Sequence, residues 1–210
     1  MKLAVHNLGT EVPYEQALLL QQDLLAQRIA GEIPDTLLLL EHAPVYTIGR
    51  TRDQSSLQNP SSLPHTVHEV SRGGQATFHG PGQLVGYPII DLSTKGKDLH
   101  AYLRTLETSL IRFCEHFDVT ATQREGLTGI WVEERKLASL GVGVKKWVTY
   151  HGFALNLRPE SLPPFQAITP CGLDGVSMTH LSQEGSPLLG LHTCEEIYVP
   201  LLEQELENLS

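Results

Sequence analysis

Between residues 66 and 157 the chain is written as short apolar segments separated by glycines and polar turns. Each is too short for a stable helix and suited to a strand. Thr66–Ser71, Ala76–His79 and Leu84–Leu92 form a first group; Gly129–Val132, Lys136–Val144 and Val148–Leu157 form a second. Glu133, Glu134 and Arg135 supply a hairpin turn inside the second group, and Pro88 marks a sheet edge or a strand start. One helix separates the groups: Asp98 is placed as its N-cap, and Leu99, Tyr102, Leu103, Leu106, Leu110, Phe113 and Phe117 share one face. Upstream, helical spacing runs over residues 13–30 behind Pro13, and Thr36–Leu40 reads as a buried strand. Downstream, Thr193-Cys-Glu-Glu196 has the form of a capping box ahead of a terminal helix, which Pro200 kinks or restarts. Strands grouped as successive hairpins among helices predict an α+β (mixed α/β) fold with a mainly antiparallel or mixed sheet, rather than a doubly wound one. At 210 residues the expectation is a single domain spanning 1–210.

Charge and cysteine usage narrow the function. Fifteen basic against 24 acidic side chains leave a formal charge of −9, which disfavours nucleic acid as a partner. The modest basic cluster of Arg135, Lys136, Lys145 and Lys146 reads as a solvated hairpin. Apolar runs such as Leu37–Leu40 fall far short of the ~20 residues that cross a bilayer, and Lys2–His6 reads as a strand rather than a signal segment. Three cysteines, an odd number spread over the chain, argue against a disulfide framework. The expectation is a reduced, cytoplasmic protein that needs no membrane.

The cysteines divide by context. Cys114 falls on the helix with Leu110 and Phe113 and is read as a small core residue. Cys194 opens the terminal helix, but Glu195 and Glu196 oppose its ionisation, so it is read as structural. Cys171 stands in Thr169-Pro-Cys-Gly172, where proline stiffens the approach and glycine leaves backbone N–H groups open. Such a turn suits a nucleophile; it suits equally a cysteine with no chemical role. A thiol nucleophile needs a neighbouring base or cation. Lys136 begins a nearly uncharged strand, where desolvation would let it exchange protons near neutrality, although a turn-end lysine also commonly snorkels to water. The glycine-rich stretch from Arg72 to Gly86 allows close backbone approach to a ligand, with Arg72, His79 and Gln83 as polar handles. It has neither Walker nor dinucleotide spacing. His65, His68 and Glu69 lack the spacing of a metal site, and His42 and His151 are read as structural histidines. No metal and no cofactor are expected.

Taken together, RGGQATFHGPGQLVGYPIIDL (72–92), GIWVEERKLASLGVGVKKWVTYHGFALNL (129–157) and ITPCGL (168–173) closely resemble the octanoyltransferases of lipoate biosynthesis, in that family's order and spacing. Weaker similarity runs from the first helix through residues 41–50. The resemblance implies a mixed sheet flanked by helices, as in the catalytic domains of biotin and lipoate protein ligases. It implies acyltransferase activity in protein lipoylation. An octanoyl group would pass from octanoyl-acyl carrier protein to a lysine of lipoyl domains, such as those of 2-oxoacid dehydrogenase complexes and the glycine cleavage H protein. On this resemblance Cys171 is the nucleophile that carries a thioester intermediate, and Lys136 lowers its pKa. The substrate-binding segments fall on Arg72, Gly73, Gly74, Gln75, Ala76, Thr77, Phe78 and His79, on Ser139, Leu140 and Gly141, and on Gly152, Phe153 and Ala154. Many relatives carry Asp and Tyr where this chain has Gln75 and Phe78. A thioester is already activated, so no ATP is called for; backbone N–H groups near Cys171 or within 72–79 would hold the oxyanion. An ATP-dependent ligase on the same fold, or a module that only binds acyl or lipoyl groups, are the alternatives.

Overall fold

The computed structural model of the chain describes residues 2–50, 54–172 and 175–209, with Gln54 and Cys171 described in backbone only. In chain order the elements are β1 (Ala4–Asn7), α1 (Tyr14–Ala30), β2 (Thr36–Leu40), β3 (Val45–Ile48), β4 (Val67–Glu69), β5 (Thr77–His79), β6 (Gln83–Ile89), α2 (Leu99–Glu115), β7 (Thr122–Arg124), β8 (Leu127–Val132), β9 (Arg135–Lys145), β10 (Val148–Asn156), β11 (Ser177–Met178) and α3 (Leu191–Asn208). The main sheet runs β1-β2-β6-β10-β9-β8-β7, with β11 added to β9; a smaller sheet runs β4-β3-β5. Parallel pairs (β1 with β2, β11 with β9, β3 with β4) sit among antiparallel ones, so the sheets are mixed.

The core explains the sequence pattern of β2. Leu37 and Leu39 pack into the cluster built with α2 and α3, whereas Leu38 and Leu40 pack into the cluster built with α1. A strand with both faces covered has no polar positions to alternate with, hence four consecutive leucines. The main sheet is thus flanked by α1 on one face and by α2 and α3 on the other. A third cluster, with Tyr46, Ile48, Leu57, Ala76, Phe78, Phe165 and Ile168, joins the small sheet to the segment that leads to Cys171. Asp98 caps α2 as expected, its carboxylate accepting from the N–H groups of His100 and Ala101 at 2.8 and 3.0 Å.

Three local expectations are corrected. α3 begins at Leu191 with Gly190 as N-cap and no side-chain cap, so Thr193 and Glu196 form no capping box, and Cys194 lies inside the helix with its N–H on the Gly190 carbonyl. Pro200 lies within that one helix and does not restart it. Pro88 lies in β6, between β2 and β10, rather than at a sheet edge. The proline is tolerated because β10 leaves the regular ladder there: His151 has φ +56°, and a Cβ on Gly152 would come within 2.6 Å of the Pro88 ring. The side chain of Thr149 bridges the gap, donating to the Pro88 carbonyl at 2.8 Å and accepting from the Ile90 N–H at 2.9 Å. The polar stretch 51–64 contains short 3₁₀ turns at Gln54–Leu57 and Pro60–Ser62; residues 51–53 lie outside the described residues.

Candidate active site

A cleft with a cavity of about 310 Å³ opens between β9 and β10, the small sheet and the N-terminal end of α2. Its floor is Lys136, Ser139, Leu140, Gly141 and Val142 from β9, with His151, Gly152, Phe153 and Ala154 from β10. Arg72, Gly73 and Gly74 lie over it, and Leu99, Leu103 and Leu127 add apolar wall. Most of the segments expected to bind substrate therefore converge on one cavity. Gln75, Ala76 and Phe78 do not line it. On β5 Thr77 and His79 face the cleft, so the alternating residues Ala76 and Phe78 fall into the third core cluster and support the strand from behind.

The loop over the cleft is held by Arg72 itself, which is 7 % exposed. Its guanidinium donates to the carbonyls of Thr47, Gly73 and Gln75, each at 2.9 Å, and to Thr47 Oγ1 at 2.8 Å. Gly73 N–H donates to the Val142 carbonyl at 3.0 Å, which pins the loop to β9. Gly141 makes that approach possible: a Cβ there would lie 2.9 Å from the Gly73 carbonyl oxygen.

Lys136 is 1 % exposed, so it does not snorkel to water. Its Nζ lies 5.3 Å from the centre of the Trp131 ring, whose negative face favours an ammonium. The stem passes over Gly129, where a Cβ would meet Lys136 Cε at 2.8 Å and Nζ at 3.3 Å. Backbone pairing also brings the segment after Cys171 to this lysine: Met178 pairs with Lys136, and Thr179 N–H donates to the Lys136 carbonyl at 2.9 Å.

Cys171 occupies a 3₁₀ turn, Pro170–Gly172, that packs against β5; the position of its thiol lies outside the described atoms. The turn is tied in twice. Ser56 accepts from Thr169 N–H through its carbonyl at 2.7 Å and from Ala76 N–H through its hydroxyl at 3.2 Å. The Gln75 carboxamide fills the space beside Gly172 (φ +67°), where a Cβ would nearly coincide with Gln75 Oε1. The other two cysteines are fully buried, and burial pushes each thiol up to about 12. Neither supplies a thiolate at neutral pH.

The cleft wall beyond Arg72 is aromatic and polar. His42 Nδ1 donates to the Val12 carbonyl at 3.0 Å, and its Nε2 accepts from Tyr87 Oη at 2.7 Å, so His42 is satisfied as expected. His79 bonds Gln83 Oε1 through Nδ1 at 2.9 Å, and burial holds it well below the ordinary histidine range. His151 departs from its structural reading: it lines the cleft, is 2 % exposed, and its Nε2 has no hydrogen-bond partner among the described residues. Burial lowers both His42 and His151 to about 4, so these imidazoles are neutral at pH 7. Tyr14, Tyr87, Leu99, Leu103 and residues 126–128 also line the cleft and were not legible as site residues. Tyr14 and the two leucines match the apolar pattern of a core-facing helix, so no local signal distinguishes them. Among the described residues no group of histidine, cysteine and carboxylate is arranged to hold a metal, and no helix is long and apolar enough to cross a membrane.

Comparison with known proteins agrees with this architecture. The chain superposes on lipoate-protein ligase A bound with ATP at a TM-score of 0.76, covering 99% of this chain and 86% of that one; at 14% identity this speaks to the fold. It is 52% identical to an octanoyltransferase of Geobacter metallireducens, over 86% of this chain and 82% of the relative. It is 54% identical to an octanoyltransferase of Geobacter sulfurreducens, over 81% and 71%. Residues 13–202 match the model of the lipoyl protein ligase A/B catalytic domain. The chain belongs to the octanoyltransferases of that ligase family and is an acyltransferase of lipoate biosynthesis.

Proposed function

We propose that residues 1–210 act as one catalytic domain that moves an octanoyl group from octanoyl-acyl carrier protein to a lysine of a lipoyl domain, in the cytoplasm, through an acyl-thioester on Cys171. The observation that carries this reading is the burial of the Lys136 ammonium at the floor of a largely apolar cleft, on the strand that pairs with the segment following Cys171. A buried amine beside a thiol stabilises the thiolate and has a proton to give and take.

In the first half-reaction the Cys171 thiolate attacks the thioester carbonyl carbon. The bond to the carrier's sulfur breaks, and the departing thiolate takes a proton from Lys136. In the second, the neutral amine of the acceptor lysine attacks acyl-Cys171, gives its proton to Lys136 and expels the thiolate, which restores both groups. The leucines, Phe153 and Ala154 along the cleft would take the C8 chain, each buried methylene contributing about 0.8 kcal/mol. The aminolysis assay that tests this mixes enzyme, octanoyl-carrier protein and unmodified lipoyl domain without ATP. Amide formation that is lost in Cys171→Ala and Lys136→Ala is expected; a requirement for added ATP overturns the reading in favour of a ligase.

A further inference from the structure

Thr77 sits on β5, facing the cleft, 4 % exposed, and its Oγ1 has no hydrogen-bond partner among the described residues. A buried hydroxyl without a partner is unfavourable, and valine has the same shape and an equal strand preference. Nothing among the described residues of the free protein therefore uses the oxygen. Its surroundings indicate what does. β5 packs against the Pro170–Gly172 turn, and two residues upstream Gln75 fills the space beside Gly172. Three neighbouring donors of this wall are engaged: Arg72 bonds Thr47, Gly73 and Gln75, His79 Nδ1 bonds Gln83, and Tyr87 bonds His42. The other buried side-chain atom without a partner among the described cleft residues, His151 Nε2, belongs to a residue opposite Val142, six positions along β9 from Lys136. At ~3.3 Å per residue the two backbone positions are about 20 Å apart along the strand, at opposite ends of the cleft floor.

We infer that the Thr77 hydroxyl donates a hydrogen bond to the carbonyl oxygen of the bound thioester and holds the oxyanion that forms when Cys171 attacks. The inference rests on the Cys171 reading above. No proton is transferred by Thr77: the carbon–sulfur bond forms, the carbonyl π electrons move to oxygen, and the hydroxyl stays a donor until the carrier thiolate leaves. It serves the second half-reaction in the same way, because the acyl-enzyme presents the same carbonyl.

The test is single-turnover octanoylation by octanoyl-carrier protein, followed by steady-state transfer, in Thr77→Val, Thr77→Ser and Cys171→Ala. Thr77→Val is expected to slow transfer about 100- to 1,000-fold with KM little changed, the usual loss of one oxyanion donor. Its melting temperature is expected to match or exceed that of the wild type, since an unpaired polar atom has been removed. Thr77→Ser retains the hydroxyl and is expected to stay within about tenfold of the wild type. A Thr77→Val enzyme at wild-type rate, with Cys171→Ala inactive, overturns the Thr77 assignment alone. So does a Thr77→Ser enzyme as slow as Thr77→Val, or a Thr77→Val enzyme whose melting temperature falls together with its rate. Transfer that survives Cys171→Ala but collapses in Thr77→Val overturns the thioester intermediate and keeps Thr77 as the donor to the substrate carbonyl.

Discussion

Gly129→Ala is a single methyl group placed where the structure leaves no room for one. Gly129 has φ +132°, and its N–H donates at 2.7 Å to Glu107 Oε1, a fully buried carboxylate that also bonds Arg104. The added Cβ would lie 2.6 Å from the Ala138 carbonyl oxygen and 2.8 Å from Lys136 Cε. The first neighbour is sheet backbone and cannot rotate away. Holding an L residue at this φ costs about 1–3 kcal/mol. For a chain of this size that corresponds to a melting temperature lower by about 2–12 °C. Carbon atoms rest at ~3.5–4 Å, so the Lys136 stem must also move by about 1 Å. A displacement of that size at a reacting group slows turnover about 100-fold. Gly185→Ala is the control, because Gly185 also has positive φ (+117°) with open space around its would-be Cβ. It is expected to lose stability but not rate. Calorimetry and single-turnover octanoylation read the two effects separately. Wild-type transfer in Gly129→Ala would refute the claim that the position of Lys136 governs catalysis.

Three further outcomes are expected. Cys114→Ser and Cys194→Ser keep transfer activity, and iodoacetamide at pH 8 labels neither cysteine in the native protein, because burial holds both thiols near 12; mass mapping of the alkylated peptides checks this. Stability falls on acidification: above pH ~6.5 His42 and His151 are neutral in both states, and below it the unfolded chain takes up protons that the folded chain refuses until about pH 4. Each contributes a loss on the order of 3 kcal/mol across that window, and a melting temperature flat from pH 6.5 to 4.5 would contradict it. Finally, kcat/KM for acyl-carrier donors from C4 to C8 is expected to rise about fourfold per methylene, from ~0.8 kcal/mol each; chain-length indifference would show that the apolar wall does not hold the acyl group.

What could be read from the residues was whatever local physics decides. Asp98 announces α2 because a carboxylate at that position satisfies N–H groups that the helix leaves open, and Thr36–Leu40 announces a strand buried on both faces. The capping-box pattern at Thr193 failed because the helix had already started at Leu191, behind a glycine that offers no side chain. Pro88 misled because the kink that tolerates it belongs to another strand, at His151, some sixty residues along the chain. At the site, the segments around Arg72, Ser139 and Gly152 were legible as a set only through family resemblance. Composition alone left Lys136 between a buried amine and a surface one, and its burial depends on Gly129, on Trp131 and on the pairing of β11. Gln75 beside Gly172 is a contact between residues almost a hundred positions apart, with no local trace. The unpartnered atoms of Thr77 and His151 are likewise properties of the assembled cleft.

The central claim is that a single cysteine carries the acyl group between two proteins. Brief mixing of the pure enzyme with octanoyl-carrier protein, in the absence of ATP and acceptor, followed by acid quench and intact and peptide mass spectrometry, addresses it directly. The account predicts one octanoyl increment, located on Cys171 and discharged when unmodified lipoyl domain is added. An increment on Cys194, or none while transfer proceeds at full rate, would contradict it.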